Sequence, residues 1–304
     1  MSFIAAVLIV TSAFMHAGWN YVSKRQNPSL AYFFVTAVSA TLLISPVLIF
    51  HRQVVSLIPF SVWALVIGTG LSQMIYFIGL AGAYRRGDLS LAYPLARALP
   101  VLLVAAISFL LGNGSAISQI SLFGMVLITA GCIILPLPHF KKVRLRDYVD
   151  VVYLMALLAA VGTTGYTMLD DQALRQLRGI AALPLTNSEI TLLFIPLQTG
   201  STAVMLGLGT LLYPTERRQL GPILNNRTMV TSAILTGVAI MSTYGLVLAA
   251  MAYVSDVSYV AAFRQLSIPI GAVLGLTLQQ EPRYLPKLLG IGIVSVGLVL
   301  VGLG

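Results

Sequence analysis

The chain has 304 residues, of which 58% are hydrophobic and 9% charged, with a mean hydropathy of +0.93. That composition excludes a soluble globular domain, whose surface needs far more charge. The formal charge of +9 does not mark a nucleic-acid binder, because the basic residues sit at the ends of apolar runs, where the positive-inside bias accounts for them.

Apolar runs long enough to cross a ~30 Å hydrocarbon core recur from end to end. In chain order they predict ten helical spans, at roughly 2–23, 29–50, 57–83, 89–111, 118–137, 149–170, 187–212, 228–254, 257–280 and 285–303. The expected fold is therefore an all-α polytopic membrane protein. The first run lacks a basic start and leads into Lys24-Arg25, so it reads as a span and not as a cleavable signal. It also carries His16, Trp19, Asn20 and Tyr21 within six residues. Helical spacing puts His16, Trp19 and Asn20 on one face, which can line a cavity with His16 as a proton-responsive group. Trp19 and Tyr21 also suit an aromatic belt at the headgroup level. The third span offers Ser72, Gln73 and Tyr76, and the eighth Ser242, Thr243 and Tyr244, as cavity-lining or helix-bridging groups.

The fourth and ninth spans hold an arginine each, Arg97 and Arg264, at positions that fall near the bilayer midplane. A central arginine costs about 2.5–3.5 kcal/mol on insertion scales, so two of them demand a reason. Prolines lie close by on either side. Pro94 frees the carbonyl of Ser90, Pro100 that of Ala96 and Pro269 that of Gln265. Interrupted helices with exposed backbone at mid-membrane are how secondary transporters build binding sites. The expectation is a wet cavity in which both guanidiniums hold a carboxylate or phosphate. The competing structural reading has each arginine tying helices together. The sixth span ends in Asp170-Asp171, followed by Arg175 and Arg178. Asp171 is expected to pair with Arg175 at a solvated helix end, while Asp170 is left open between proton carrier and substrate contact. Glu189, at the start of the seventh span, is left open in the same way as Asp170, Glu281-Pro-Arg283 reads as a charged cap at a span boundary, and Gly271 and Gly275 read as close-packing positions.

The chain repeats itself. Residues 83–100 recur as 252–269, matching Tyr84 to Tyr253, Asp88-Leu-Ser90 to Asp256-Val-Ser258 and Arg97 to Arg264. Gly18-Trp-Asn-Tyr21 resembles Gly165-Tyr-Thr-Met168, Tyr76 matches Tyr244, and the pair Gly124 and Gly131 matches Gly290 and Gly297. This divides the chain into a five-helix repeat at 1–137, a basic connecting loop at 138–148 and a second repeat at 149–304. An odd number of spans per repeat makes the second enter the membrane inverted. Thirteen Lys and Arg fall in connections after odd-numbered spans and three (Arg52, Arg175, Arg178) on the other side. That bias predicts cytoplasmic odd connections and both termini outside.

On these residues the sequence resembles the ten-helix EamA-type proteins of the drug/metabolite transporter superfamily. The resemblance spans nearly the whole chain and rests on three motifs. These are His16-Ala-Gly-Trp-Asn20 with Lys24, Leu91-Ala-Tyr-Pro94 leading to Pro100, and Glu281 followed by Gly290 and Gly297. It implies two intertwined repeats, with spans one to four and six to nine around a central cavity and spans five and ten as peripheral supports. It also implies alternating-access transport of small organic metabolites. Two features depart from the pattern. Ser115 stands where the second half has Glu281, and relatives are commonly drawn with cytoplasmic termini.

The sequence thus points to a multi-pass bacterial inner-membrane transporter of a small anionic or zwitterionic metabolite. Arg97 and Arg264 would hold the acid group, with His16, Trp19, Asn20, Gln73, Tyr76, Tyr93, Tyr166, Tyr244 and Tyr259 around it. Asp170, His16 and Glu281 are the candidates for proton coupling; exchange against a counter-substrate needs none of them. The alternatives are efflux of cationic or aromatic compounds in an aromatic cage and a non-transporting scaffold or sensor without a cavity. No nucleic-acid partner is expected, and the oligomeric state, monomer or homodimer, is left open. No cofactor, metal or catalytic residue is expected either, since the sequence has one cysteine, Cys132, and no glycine-rich phosphate loop, HExxH or Ser-His-Asp set.

Overall fold

The computed structural model describes residues 2–24, 29–86, 89–112, 114–134, 137, 151–180, 183, 185–270, 273 and 284–304. Of residues 19–24, 84, 86, 89–95, 98 and 152 only the backbone is described. Among the described residues there is no strand. The helices are α1 (Phe3–Lys24), α2 (Leu30–Ile44), the short α3 (Pro46–Phe50) and α4 (Arg52–Val55), α5 (Phe60–Arg86), α6 (Leu89–Leu110) and α7 (Gln119–Ile134). They continue as α8 (Val151–Arg178), α9 (Asn187–Leu212), α10 (Pro214–Asn225), α11 (Arg227–Ala250), α12 (Val257–Phe263) and α13 (Leu285–Leu303).

Local chemistry explains where these helices begin. The Ser29 hydroxyl accepts from the Tyr32 N–H at 3.1 Å and starts α2. A capping box starts α9, in which the Thr186 hydroxyl accepts from the Glu189 N–H while Glu189 accepts from the Thr186 N–H at 2.7 Å. Asn226 and Asp256 cap α11 and α12 with single side-chain bonds, accepting from the Met229 and Ser258 N–H groups.

Among the described residues, five stretches are long and apolar enough to cross a bilayer, Leu30–Phe50, Phe60–Ala83, Asn187–Leu212, Arg227–Tyr253 and Leu285–Leu303. The surface suits that solvent. On α1, Phe3, Val7, Val10 and Phe14 face outward, while Ala5, Ile9, Ser12 and His16 on the opposite side are buried. Exposed apolar groups over buried hydroxyls and charges is the reverse of a water-soluble surface. The arrangement is compatible with a multi-pass membrane protein.

Two helix pairs share the most extensive contact, and glycine lets them approach closely. A Cβ on Gly124 would meet the Gly297 carbonyl at 2.6 Å, and one on Gly131 the Gly290 carbonyl at 2.9 Å, so α7 and α13 pack backbone to backbone. Gly79 of α5 lies against Ala159 of α8, and Gly162 of α8 against the Tyr76 N–H of α5. Small residues allow this contact where lipid gives no hydrophobic drive to associate. Further pairings join α1 to α11, α2 to α9, α6 to α8, α5 to α9 and α11 to α2.

The structure revises three expectations. Helix α8 runs on to Arg178, so Asp170 and Asp171 lie two turns inside a helix and not at its solvated end. The 213–227 connection is mostly helical. Its α10 is fastened by the buried Glu216, which accepts from the Ala31 N–H and pairs with Arg85. The ninth segment narrows at Arg264–Leu266 into a 3-10 turn. The loop 138–148, Asp88, Gly271, Gly275 and Glu281-Pro-Arg283 lie outside the described residues.

Candidate binding cavity

One cavity occupies the middle of the bundle, enclosing about 920 Å³ of atom-free space, part of it continuous with solvent. Its wall comes from α1, α2, α5, α6, α8, α9, α11 and the turn after α12. Of the side chains picked out from the sequence, Arg97, Arg264, His16, Gln73, Tyr76, Tyr166 and Tyr244 all reach it. Among the described lining residues there is no Asp or Glu.

Arg264 owes its position to the 3-10 turn, which tightens the helix at that residue. Its Nη2 donates to the Tyr166 hydroxyl at 3.2 Å and its Nη1 reaches the Thr167 hydroxyl at 3.5 Å. Its guanidinium carbon lies 5.8 Å from the Tyr166 ring centre and 5.3 Å from that of Tyr244. Those two rings stand perpendicular, centres 5.4 Å apart, and Tyr76 meets Tyr166 edge to face at 5.9 Å. The three tyrosines thus form a continuous edge-to-face series. A buried arginine at 8% exposure is held by π-faces and hydroxyls.

Arg97, 6% exposed, projects from the continuous α6. Its Nη2 donates to the Ser267 hydroxyl at 2.8 Å, and that hydroxyl donates in turn to the Arg264 carbonyl at 3.0 Å. The guanidinium of one segment therefore braces the turn that carries the other. A smaller recess of about 240 Å³, lined by Arg97, Arg264, Thr163, Thr167 and Gln265, lies between them.

Behind the cavity wall sits Asp170, with 0% exposure. Its carboxylate accepts from the Thr69 hydroxyl at 2.7 Å and from the Tyr244 hydroxyl at 2.6 Å. Tyr244 thus faces the cavity with its ring and Asp170 with its hydroxyl. Asp171 pairs with Arg175 at 2.7 Å, as the i,i+4 spacing predicts.

The remaining candidates divide. Tyr259 is not at the cavity: it is packed with α6, α7 and α13, and its hydroxyl meets the Ser118 N–H and the Ala116 carbonyl, each at 3.4 Å. The side chains of Trp19, Asn20 and Tyr93, and all of Glu281, lie outside the described residues. Sequence reasoning missed Thr36, Gln198, Thr199 and Thr202, which also line the cavity. Gln198 and Thr202 at i,i+4 were a readable signal, a polar face in an apolar helix. The carboxamides of Gln73 and Gln198 make no hydrogen bond among the described residues. No group of three His, Cys, Asp or Glu among those residues could hold a metal ion.

No protein-family model and no curated protein matches the chain in sequence. Its fold is similar to that of a solved structure described as "Crystal structure of protein", which superposes with a TM-score of 0.65 at 16% identity, over 98% of this chain and 97% of that one. At that identity the likeness is one of fold alone.

Proposed function

We propose that the protein is a secondary transporter of the EamA type, moving a small organic anion through the inner membrane by alternating access. The carrying observation is that two buried guanidiniums and three tyrosine rings line one cavity, with no carboxylate among its described lining residues. Two guanidiniums facing one buried cavity are complementary to a carboxylate or phosphate. The tyrosine rings and the two carboxamides supply contacts for the remainder of the substrate. The cation-efflux reading is weaker, because the Tyr166 and Tyr244 faces already hold Arg264.

The proposed architecture is ten spans in two inverted five-helix repeats, with odd connections cytoplasmic and termini outside. It is supported by pairings that come in couples. With the spans numbered as in the repeat, α5–α8 corresponds to α11–α1, and α5–α9 to α11–α2, while α2–α9 and α7–α13 correspond to themselves. Such couples are what a pseudo-two-fold axis in the membrane plane would generate.

The test is a thermal-shift screen of the purified protein against organic anions, zwitterions and cations of matched size. Anions should raise the melting temperature by mass action. An Arg97→Gln/Arg264→Gln double variant should lose that rise. Stabilisation by cations alone, unchanged in the double variant, would reject the proposal.

A further inference from the structure

We infer that Asp170 is the proton site of this carrier, and that a proton there and an anion at Arg264 favour each other's binding through Tyr244. The inference rests on the anion-carrier reading and adds the coupling ion to it.

Asp170 is wholly buried in α8, and the hydrogen-bond partners of its carboxylate are the hydroxyls of Thr69 from α5 and Tyr244 from α11. Neither of the described salt bridges includes it. An ionisable group so placed within a bundle must be neutralised or answered by a charge nearby. The charged and titratable groups around it are few. On α8, Tyr166 lines the cavity and Asp171 is engaged by Arg175. From α12, Asp256 is taken up by the Ser258 N–H and the Ser108 hydroxyl. Across the cavity stand His16 of α1 and Arg97 of α6, the latter bonded to Ser267. From α5 the group in contact, Thr69, does not titrate. Arg264 remains as the cation one residue removed, its guanidinium over the ring whose hydroxyl holds Asp170.

That arrangement fixes the sign of the coupling. An ionised Asp170 offsets part of the positive potential of Arg264, whereas a protonated one leaves it whole for the substrate. The anion therefore binds more tightly when Asp170 carries its proton, and by reciprocity the bound anion retains that proton. One proton travels with one negative charge, so the loaded site changes its net charge little. Tyr244 is also the route in. Its O–H proton passes to the Asp170 carboxylate as its oxygen takes a replacement from a hydronium ion in the cavity. Two O–H bonds form and two break, and the tyrosine ends neutral.

The experiment measures binding of benzoate, lactate and methanesulfonate, which stay ionised between about pH 6 and pH 8, to the full chain in nanodiscs. Wild-type affinity should rise about tenfold from the higher to the lower pH, a typical coupling between sites. Asp170→Asn, which keeps the acceptor oxygen but cannot ionise, should bind equally at both. Tyr244→Phe should flatten the dependence. Infrared difference spectra of the wild type should gain a protonated-carboxyl band on adding the bound anion, a readout that survives if Asp170→Asn fails to fold. An unchanged slope in Asp170→Asn, a slope of opposite sign, or no such band overturns the inference while leaving the anion site intact. Binding by none of the three anions at either pH overturns the anion reading itself.

Discussion

Arg97 leaves an unbroken helix and spends a hydrogen bond on Ser267, whereas Arg264 stands on a 3-10 turn between two tyrosine rings. In the sequence the two occupy matching places in two segments that resemble each other. In three dimensions one braces the other, since Ser267 passes the contact of Arg97 on to the carbonyl of Arg264. The difference teaches that residues at matching places in two similar segments need not do the same work. Arg264, coupled through Tyr244 to a buried acid, is suited to respond to charge, and Arg97 to hold that responsive turn in place.

Substituting the arginines one at a time gives the sharpest break of this comparison. Arg264→Gln should weaken anion binding by about 100-fold or more, since removing one partner of a buried charge pair costs about 2–5 kcal/mol. Arg97→Gln should cost about tenfold, near the lower end of about 1.5–3 kcal/mol for a hydrogen bond to a charged group. Dissociation constants for whichever anion stabilises the wild type check this. Equal losses would return the two residues to equal roles.

A second measurement concerns the helix that presents Tyr166. A Cβ on Gly162 would run into the Tyr76 backbone of α5, whereas one on Gly18, which matches Gly165 in the repeat, meets nothing within 4 Å. Gly162→Ala should therefore destabilise by about 1–3 kcal/mol through overpacking. Gly18→Ala should be neutral or stabilise by up to about 1 kcal/mol from helix propensity. Melting temperatures of the two variants decide it, and similar shifts would mean that the close α5–α8 approach is not what positions the tyrosine.

The smallest effect belongs to Ser267→Ala. Losing one buried hydroxyl bridge should lower stability by about 1 kcal/mol. It should weaken anion binding less than Arg97→Gln does, because the guanidinium remains. Binding as poor as in Arg264→Gln would show that the bridge itself, and not the second charge, is what the cavity requires.

What could be read in one dimension was whatever is chemically anomalous in a lipid-like sequence. Arginine in an apolar run stands out because hydrocarbon cannot solvate it, and both copies do reach one cavity. Glycines seven residues apart in two segments were legible only as matching positions, and it is the structure that sets Gly124 and Gly131 against Gly297 and Gly290. The pairing of Asp171 with Arg175 followed from helical spacing alone. Less legible were Thr36 and Thr199, which look like ordinary polar relief in an apolar helix. The α10 helix was hidden because its short, mostly polar stretch lacks the apolar length by which spans are recognised.

The sequence by itself determined the solvent this chain suits, its helical character and the anomalous charges, because each depends on composition and on a period of 3.6 residues. Only the tertiary structure decided that α8 continues past Asp170, that Tyr259 turns away from the cavity, and that Tyr244 joins an acid to an arginine 94 residues further along the chain. Those outcomes depend on which helix faces pack together. Side-chain packing between segments far apart in sequence has no local signature, so it becomes visible only once the helices are assembled.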